Sequence, residues 1–492
     1  MSERPSPARV AVVLGGSHTG MLAARALAGL AERVVVVERD VLPAGPDPRK
    51  GLPQARHVHL LWSGGVLAME ELLPGITGAL RAAGARRAPI TTDMVALSAR
   101  GWFRRWPESH HMVLAGRDLL DATVRERVLA DERVEVLDGT EVLGLLGDAR
   151  AVTGVRLRGR DGRESTLRAG LVVDTTGRGS AAPRWLAGLG LPAPVRREVD
   201  SGLAYASRLL LAPEAARGGF PVVNVQVDPR AGGPGRAGVL LPIENGRWLV
   251  TLSGTRGGEP PASAGTPGPR DSSNPAGSPD LSGSFGSLDD EFVRFAREKL
   301  RHPIIGELIA RAEPLSDVAF TRTTVNRRHF YERMPAWPEN FTVLGDALAA
   351  YNPVYGHGLA VGAQSALILR EVTRRHGWGA PGLSRRVQKA VARPVGAAWD
   401  LAIGQDVFYP GATQNGPTLR DRLVAGYVDR LMYTATGNGR IARRVTDVTS
   451  LERRAEVLLS PSVLLAAAVG PLKPPLNAPP LTAEELKKAG LQ

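Results

Sequence analysis

A six-residue turn near the N-terminus, Gly15-Gly16-Ser17-His18-Thr19-Gly20, has the composition and spacing of a dinucleotide-binding turn. It joins the apolar run 9–14 to an Ala- and Leu-rich segment over 20–29, which predicts a strand, a turn and a helix. In such units the first glycine forms the tight turn, the second lets the backbone approach a pyrophosphate, and the third allows close helix–strand packing. Gly15 and Gly20 occupy the first and third positions, and Ser17 occupies the second. The helix N-terminus behind this turn is a natural site for an anion.

An acidic residue stands where this kind of site needs one. Glu38 follows Gly20 by eighteen residues and ends a second apolar run, 33–38. A carboxylate at that strand end can accept hydrogen bonds from the 2′ and 3′ hydroxyl groups of a ribose. Strand, turn, helix and acid together predict that the first part of the chain binds a dinucleotide.

A second motif far downstream indicates which dinucleotide. Asp346 ends the apolar run 341–346, and the loop YNPVYGHGL follows at 351–359 before a predicted helix. An aspartate there can bind the ribityl hydroxyl groups of a flavin, Pro353 would hold the loop, and Gly356 and Gly358 would let the backbone lie close to a flat ring. The helix behind them would direct its positive end at the N1/O2 edge of the ring. A nicotinamide enzyme needs no such second motif, so the pair of sites favours FAD.

Side chains that could carry acid–base chemistry are few. His57 and His59 are weak catalytic candidates, because their spacing does not put both on one face of a helix and structural hydrogen bonding would also explain them. No third ligand lies near them in the sequence, so no metal site is expected. The chain has no cysteine, which excludes Fe–S clusters, thiolate-ligated haem and dithiol redox centres. A redox enzyme with this sequence must hold its electrons in an organic cofactor.

The predicted elements give an α/β fold: a discontinuous Rossmann-like FAD-binding domain, an inserted antiparallel-sheet substrate domain and a helical C-terminal region. Residues 51–73 are predicted to be helical. The predicted boundaries are 1–195 for the first part of the FAD-binding domain, 196–335 for the inserted domain, 336–395 for the second part and 396–492 for the C-terminal region. The Gly-, Pro- and Ser-rich segment 257–287 is predicted to be a disordered insertion. Three aromatic residues of the inserted domain would line a substrate cavity if its sheet covers the flavin, and would otherwise be core residues: Tyr205, Phe220 and Trp248.

Several motifs in the same order resemble the group A flavoprotein monooxygenases, which have the p-hydroxybenzoate hydroxylase fold. They are the turn at 15–20 with Glu38, RDLLDATVRERVL at 117–129, LVVDTTGRGS at 171–180 and GDALAAYNPVYGHG at 345–358. KGLPQARHVHLLWSGG at 50–65 and AWDLAIGQDVFYP at 398–410 are in turn similar to bacterial flavin epoxidases of polyether-antibiotic pathways, which are relatives of squalene epoxidase. The resemblance covers most of the chain apart from 257–287 and the last 60 residues.

The resemblance implies a role for each residue that matches the family's motifs. The implied FAD contacts are Gly15, Ser17 and Gly20 at the pyrophosphate, Glu38 at the adenosine ribose, Arg117 at the phosphates, Val142 beside the adenine, Asp346 at the ribityl chain, and Pro353, Gly356, His357 and Gly358 at the isoalloxazine, with Arg39 as a further cofactor contact. Ser17 departs from the second glycine, and Thr176 stands where many hydroxylases carry the aspartate of a DG motif. The second departure weakens any inference about how a nicotinamide docks.

The resemblance also implies an activity. The chain would epoxidise alkenes of a lipophilic polyene, such as a polyketide in antibiotic biosynthesis, with O₂ and a flavin hydroperoxide. NAD(P)H would act as a transient reductant, or a partner flavin reductase would supply the electrons. An aromatic hydroxylase and an isoprenoid-type reductase are the alternatives within flavin chemistry.

Composition bears on the remaining function classes. The net charge of +13 raises the question of nucleic acid, but the arginines are scattered and aromatic residues make up only 5% of the chain. We therefore expect no nucleic-acid partner, and a non-catalytic nucleotide- or nucleic-acid-binding module is a remote alternative. No apolar run approaches the 18 residues of a membrane span, and no signal peptide is evident at the N-terminus. A cytoplasmic enzyme is expected.

Overall fold

The structure is a computed structural model that describes residues 9–229, 231–261, 286–322 and 324–492. Most of the predicted insertion at 257–287 lies outside the described residues, from 262 to 285.

A parallel sheet of five strands forms the centre of the predicted FAD-binding domain. Its strands, in spatial order, are Phe341–Val343, Leu171–Asp174, Val10–Leu14, Arg33–Val37 and Val134–Leu137. Valine dominates these runs because both faces of the sheet are covered, by helices such as His18–Ala28 and by the strand Val152–Arg158, which packs against Leu171–Asp174, so that neither side of a strand meets water. The predicted α/β fold with a Rossmann-like parallel sheet is confirmed.

A larger sheet of eight strands forms the second layer. In order along the sheet it contains Glu313–Pro314, Ala204–Leu211, Arg247–Gly254, Arg236–Ile243, Val222–Val225, Met94–Ser98 and Gly101–Trp102, and Ala319–Thr321 also pairs with Ala204–Leu211. The hairpin Met94–Trp102 thus joins this sheet from outside the predicted range 196–335, through a parallel pairing of Met94–Ser98 with Val222–Val225.

Three small sheets complete the strands. They are Glu141–Gly147, Val152–Arg158 and Glu164–Arg168; Arg196–Val199, Asn326–His329 and Ala349–Ala350; and Leu61–Trp62, His111–Leu114 and Arg86–Pro89. The second of them leads the chain out of the predicted FAD-binding domain and back into it.

The α-helices cover the sheets and build the C-terminal region. They are His18–Ala28, Ser63–Leu72, Ile76–Ala82, Arg117–Leu129, Ala182–Gly188, Gly286–Glu298, Ile304–Ile309, Gly358–His376, Leu383–Asp406, Leu419–Gly437, Gly439–Thr449, Pro461–Val469 and Ala483–Lys488. The predicted helix over 51–73 is wrong in its first half. Pro53–Arg56 forms one 3₁₀ turn and Leu61–Trp62 pairs as a strand, so the α-helix begins only at Ser63.

The helix Leu383–Asp406 crosses the predicted boundary between residues 395 and 396. Pro394 lies within it, and Val391, Val395 and Ala398 on its inner face are fully buried. This buried face holds the helix continuous through the proline. Among the described residues, no helix is long and apolar enough to cross a membrane.

Two glycines let the helices behind the central sheet approach one another closely. A Cβ atom on Gly65 would lie 2.7 Å from the Cα of Ala360, and one on Gly362 would lie 2.3 Å from Thr19 Oγ1. Helix Gly358–His376 is therefore held against both helix Ser63–Leu72 and helix His18–Ala28, with its N-terminus beside the first turn.

Candidate functional site

The first glycine turn has the tight geometry that its sequence predicts. Gly15 has φ +97°, a conformation that residues with a side chain rarely adopt, and its N–H donates to the carbonyl oxygen of Val37 at 2.8 Å. A Cβ on Gly20 would lie 1.8 Å from the carbonyl oxygen of Gly15. Both glycines are therefore required by the backbone itself, before any ligand is considered.

Ser17 and Arg117 meet at the start of helix His18–Ala28. Arg117 Nη2 donates to Ser17 Oγ at 3.1 Å, while its Nε donates to Asp121 Oδ1 at 2.8 Å. The serine side chain makes no capping bond to its own helix, and its oxygen accepts from Arg117 instead. The structure thus brings together two residues predicted to contact the phosphates, although that binding role stays a prediction.

Glu38 is held rigidly at the end of its strand. One carboxylate oxygen accepts from the N–H of Gly16 at 2.7 Å, the other accepts from the N–H of Asp40 at 3.0 Å, and Arg49 Nη2 lies 2.9 Å from Oε2. Arg49, with a side chain only 5% exposed, escaped the sequence analysis. Nothing in its local sequence marks it, because the pairing depends on how the loop after the strand folds back.

Two other predicted cofactor contacts lie near Glu38 but are held by fewer hydrogen bonds and ion pairs. Arg39 is exposed, and its Nε lies 4.0 Å from Asp40 Oδ1. Val142 is half-buried on the strand Glu141–Gly147, which begins just after Thr140 donates its N–H to the carbonyl oxygen of Glu38 at 2.9 Å. Their contacts with FAD stay predictions.

Asp346 is exposed although both its neighbours in the sequence are buried. The surrounding cleft restricts water and raises the pKa of this carboxyl, and the charges of Arg178, Arg117 and Arg327 oppose that shift. A Cβ on Gly358 would lie 3.7 Å from Asp346 Oδ1. The carboxylate therefore faces the N-terminus of helix Gly358–His376, where Gly358 leaves the backbone uncovered by a side chain.

The loop before this helix carries the other predicted flavin contacts. Asn352 caps the 3₁₀ turn Pro353–Tyr355, and Gly356 has φ +66° with Leu60 against it, so that a Cβ there would lie 2.9 Å from Leu60 Cβ. His357 turns away from the cleft, because its Nε2 lies 3.0 Å from the carbonyl oxygen of Thr449. Burial lowers the pKa of His357 to about 4, so only its backbone remains to contact a flavin.

These residues fit FAD. Two helix N-termini, each with unpaired first-turn N–H groups, meet beside the cationic Arg117 and the exposed Asp346. His18 lies at the same place with both ring nitrogens buried and without a hydrogen-bond partner among the described residues. The helix N-termini and Arg117 suit the phosphates of FAD, and the carboxylate of Asp346 suits the hydroxyl groups of its ribityl chain.

A cavity lies between the loop 351–357, which we call the flavin loop for its predicted contacts, and the eight-stranded sheet. Pro353 and Val354 of the loop line one side, and Tyr205 and His57 line the other. The remaining lining residues are Val58, Leu60, Asn224, Ala237, Gly238, Val239, Thr251 and Ser253. None of the described residues that line the cavity carries an acidic or a basic charged side chain.

The two histidine candidates have different surroundings. His57 Nδ1 lies 2.7 Å from Ser207 Oγ in the cavity wall, and burial lowers its pKa to about 4. His59 Nδ1 donates to the carbonyl oxygen of His57 at 2.9 Å, and burial with the nearby charge of Arg117 lowers its pKa to about 3. Both rings are neutral at pH 7, and only His57 lines the cavity.

Two of the three predicted pocket aromatics do not line the cavity. Phe220 and Trp248 are 2% and 1% exposed and pack on each other with ring centroids 5.1 Å apart in the core behind the sheet. Alternation along the strands explains the difference, since Trp248 pairs with Leu210 whereas Tyr205 pairs with Ser253 on the opposite face. Tyr205 alone keeps the predicted position.

A buried carboxylate that the sequence analysis missed joins the loop to the sheet. Asp406, 2% exposed at the end of helix Leu383–Asp406, accepts from Asn326 Nδ2 at 2.6 Å and from Asn352 Nδ2 at 3.0 Å. It also accepts from Tyr355 Oη at 2.7 Å and Ser201 Oγ at 3.3 Å. Burial raises its pKa, and these four hydrogen bonds oppose the shift.

Arg178, from the DTTGRGS segment, binds the other end of the same loop through hydrogen bonds. Its guanidinium donates to the carbonyl oxygens of Val325 at 2.6 Å and Tyr351 at 2.8 Å. The cationic group therefore holds both strand connections that frame the cleft.

Comparison with known proteins agrees with this geometry. Residues 11–191 match the family described as FAD dependent oxidoreductase. Protein Rv3254 of Mycobacterium tuberculosis is 28% identical over 425 residues, which are 83% of this chain and 82% of that protein.

Solved structures show the same fold at low identity. PqsL from Pseudomonas aeruginosa, described as a probable FAD-dependent monooxygenase, matches with a TM-score of 0.58 and 18% identity over 85% of this chain and 99% of that one. The p-nitrophenol 4-monooxygenase PnpA from Pseudomonas putida matches with a TM-score of 0.55 and 16% identity over 90% and 98% of the two chains. The chain therefore shares the fold of these two structures.

Proposed function

We propose that the chain is an FAD-dependent monooxygenase that epoxidises an alkene of a lipophilic polyene, such as a polyketide of antibiotic biosynthesis, and the match of residues 11–191 to the family described as FAD dependent oxidoreductase supports this proposal. The observation that carries the proposal is the uncharged cavity beside Pro353. A neutral, largely apolar substrate fits such a lining, whereas a carboxylate substrate would be left without a cation.

The chain's own residues would bind and orient the cofactor. Gly15, Ser17 and Gly20 with Arg117 would hold the pyrophosphate, Glu38 would hold the ribose and Asp346 the ribityl chain. Pro353, Gly356 and Gly358 would lie along the ring. When bound, FAD would supply the redox chemistry, taking electrons from NAD(P)H or a partner reductase and activating O₂.

The protein's part in the reaction is then positioning and exclusion of water. The eight-stranded sheet covers the cavity, and Val58, Leu60 and Val239 supply apolar walls that hold an alkene near the loop. Oxygen transfer to an alkene needs no acid–base pair, which agrees with a neutral His57 and with the uncharged lining.

Product mass tests the proposal. The FAD-loaded protein is incubated with a panel of polyenes, NADPH or NADH, and ¹⁸O₂, with and without a generic flavin reductase. Incorporation of one ¹⁸O atom into a polyene is expected. A product that gains two hydrogens would show a reductase instead, and failure to oxygenate any member of the panel while a phenol is oxygenated would replace epoxidation by hydroxylation.

One observation favours an aromatic hydroxylase as the second candidate. His57, Tyr205 and Thr251 place polar groups on one wall of the cavity, where a phenol could be held. The same mass measurement with phenols in place of polyenes separates the two candidates.

A further inference from the structure

The amide of Asn352 has one orientation. Its Nδ2 donates to Asp406 Oδ2, and its Oδ1 therefore faces Tyr205 Oη at 2.6 Å and the N–H of Val354 at 3.2 Å. The opposite orientation would put the amide oxygen against a carboxylate and the NH₂ group against another N–H. Tyr205 must consequently donate its hydroxyl hydrogen to Asn352, which leaves its oxygen only as an acceptor.

A chain of hydroxyl groups fixes the hydrogen on His57 in the same way. Thr251 Oγ1 accepts from the N–H of Val58 at 3.0 Å and lies 2.6 Å from Ser207 Oγ, which lies 2.7 Å from His57 Nδ1. If Thr251 donates to Ser207 and Ser207 donates to Nδ1, every hydroxyl hydrogen has an acceptor. The reverse order leaves the Thr251 hydrogen without a protein acceptor among the described residues. The hydrogen of the imidazole is therefore on Nε2.

These two groups face the same cavity. The rings of His57 and Tyr205 lie 5.8 Å apart between centroids, and the paired residues Ser207 and Thr251 stand on the same sheet face as Tyr205. One wall therefore presents a hydrogen-bond donor and an acceptor side by side. A hydroxyl group has the groups to match both, since it donates one hydrogen, as Tyr205 Oη requires, and its oxygen accepts one, as His57 Nε2–H requires.

We propose that this wall binds a hydroxyl group on the otherwise apolar substrate, an alcohol or a phenol, with Tyr205 accepting its hydrogen and His57 donating to its oxygen. Asp406 is a positioning residue in this arrangement, because it acts on the substrate only through the amide of Asn352. The inference names the substrate class for the cavity of the proposed monooxygenase and rests on that function for its place beside the flavin.

Matched probes test the selection without turnover. Binding of geraniol, geranyl methyl ether, phenol and anisole to the FAD-loaded protein is followed by the change in the flavin absorbance spectrum. At least one alcohol or phenol is expected to bind about tenfold more tightly than its methyl ether, and Tyr205→Phe should remove most of that difference. Equal affinity for both members of each pair, or no binding by any probe, would overturn the proposal.

Tyr331→Phe is the matched control for the tyrosine. Tyr331 is equally buried, its hydroxyl has no hydrogen-bond partner among the described residues, and it does not line the cavity. This variant should keep the preference of the native protein for the hydroxyl probe. Loss of the preference in both variants would show a general effect of packing and contradict the assignment.

Asp406→Asn tests the positioning role. The variant keeps the shape of the side chain but brings an NH₂ group among four donors, so Asn352 loses its fixed orientation. We expect the preference of the FAD-loaded protein for the hydroxyl probe to fall severalfold, whereas Asp400→Asn on the same helix should leave it intact. An unchanged preference in Asp406→Asn would remove Asp406 from the account.

The hydrogen on His57 can be observed directly. Long-range ¹⁵N–¹H spectra of histidine-labelled FAD-loaded protein, assigned with His57→Gln, should show the Nε2–H form. An Nδ1–H form would refute the donor assignment whatever the substrate is. Neither this measurement nor probe binding needs oxygen transfer, so a failed oxygenation test would leave the hydroxyl selection standing.

Discussion

Asp346 is the single side chain on which cofactor retention should depend most. It is exposed in a stretch that is otherwise buried, and it faces the N-terminus of helix Gly358–His376. Asp346→Ala removes the carboxylate that we propose accepts from the ribityl hydroxyl groups, and we expect FAD affinity to fall about tenfold or more with the fold intact. Fluorescence titration of apoprotein with FAD measures the change. Asp161→Ala, in an exposed turn far along the chain, is the control, and unchanged affinity in Asp346→Ala would exclude the ribityl role.

Buried histidines make the free energy of unfolding depend on pH. The pKa of His357 is lowered from 6.5 to about 4 in the folded protein, chiefly by burial. Between these values the unfolded chain binds more protons than the folded one, so the free energy of unfolding must fall as pH decreases through that range, by up to about 3 kcal/mol for this group.

His357→Gln isolates this effect. Glutamine can still donate to the carbonyl oxygen of Thr449 but cannot be protonated in this range. Urea unfolding at pH 7.5 and pH 5 should show a smaller loss of stability in the variant than in the native protein. Replacing the exposed His376 by Gln should leave the native pH dependence in place, and parallel curves for His357→Gln would contradict the explanation.

The sequence predicts single residues well where the backbone alone determines their place. Gly15, Glu38 and Asp346 each follow the end of a parallel strand, and Gly20 lies in the first turn of the helix His18–Ala28, as their spacing indicates. The roles of Arg49 and Asp406 could not be predicted, because their partners Glu38 and Asn352 are brought to them by tertiary packing that no local sequence pattern indicates.

Close approach at glycine holds helix Gly358–His376, whose N-terminus carries predicted flavin contacts, against its neighbours. Gly65→Ala would put a Cβ 2.7 Å from the backbone of Ala360, so the helices Ser63–Leu72 and Gly358–His376 must separate. We expect a loss of about 1–3 kcal/mol in the free energy of unfolding and weaker FAD binding. Thermal unfolding with and without FAD measures both effects.

Gly404→Ala provides the matched substitution in another helix. No atom lies within 4 Å of a Cβ at this exposed position in Leu383–Asp406, so the variant should gain about 0.5–1 kcal/mol. Equal changes in the free energy of unfolding for Gly65→Ala and Gly404→Ala would show that close packing at Gly65 has no part in holding helix Gly358–His376.

Elements were predictable where their apolar pattern is continuous. The runs 9–14 and 33–38 predict buried parallel strands, and the structure pairs them with Val12 opposite Val35. The face of each strand in the second sheet was not predictable from aromatic content, because Tyr205 and Trp248 differ only in their register. The helix predicted over 51–73 failed because its apolar residues also serve a strand pairing with His111–Leu114.

Across the whole molecule, the C-terminal helices are part of the site. Asp406 connects the flavin loop, the strand Asn326–His329 and Ser201 near the start of the eight-stranded sheet. His357 extends the connection to the helix Gly439–Thr449. A sequence division at residue 395 separates these contacts, whereas the fold joins them.

The central claim is that this chain binds FAD and uses it to activate oxygen. The most direct measurement is to reduce the FAD-loaded protein without oxygen, in the presence of geraniol, and to follow the flavin spectrum by stopped flow after a pulse of O₂. The account predicts a transient near-ultraviolet band that differs from both reduced and oxidised flavin. Direct return to the oxidised spectrum with all the oxygen released as H₂O₂, or no flavin binding after reconstitution, would contradict it.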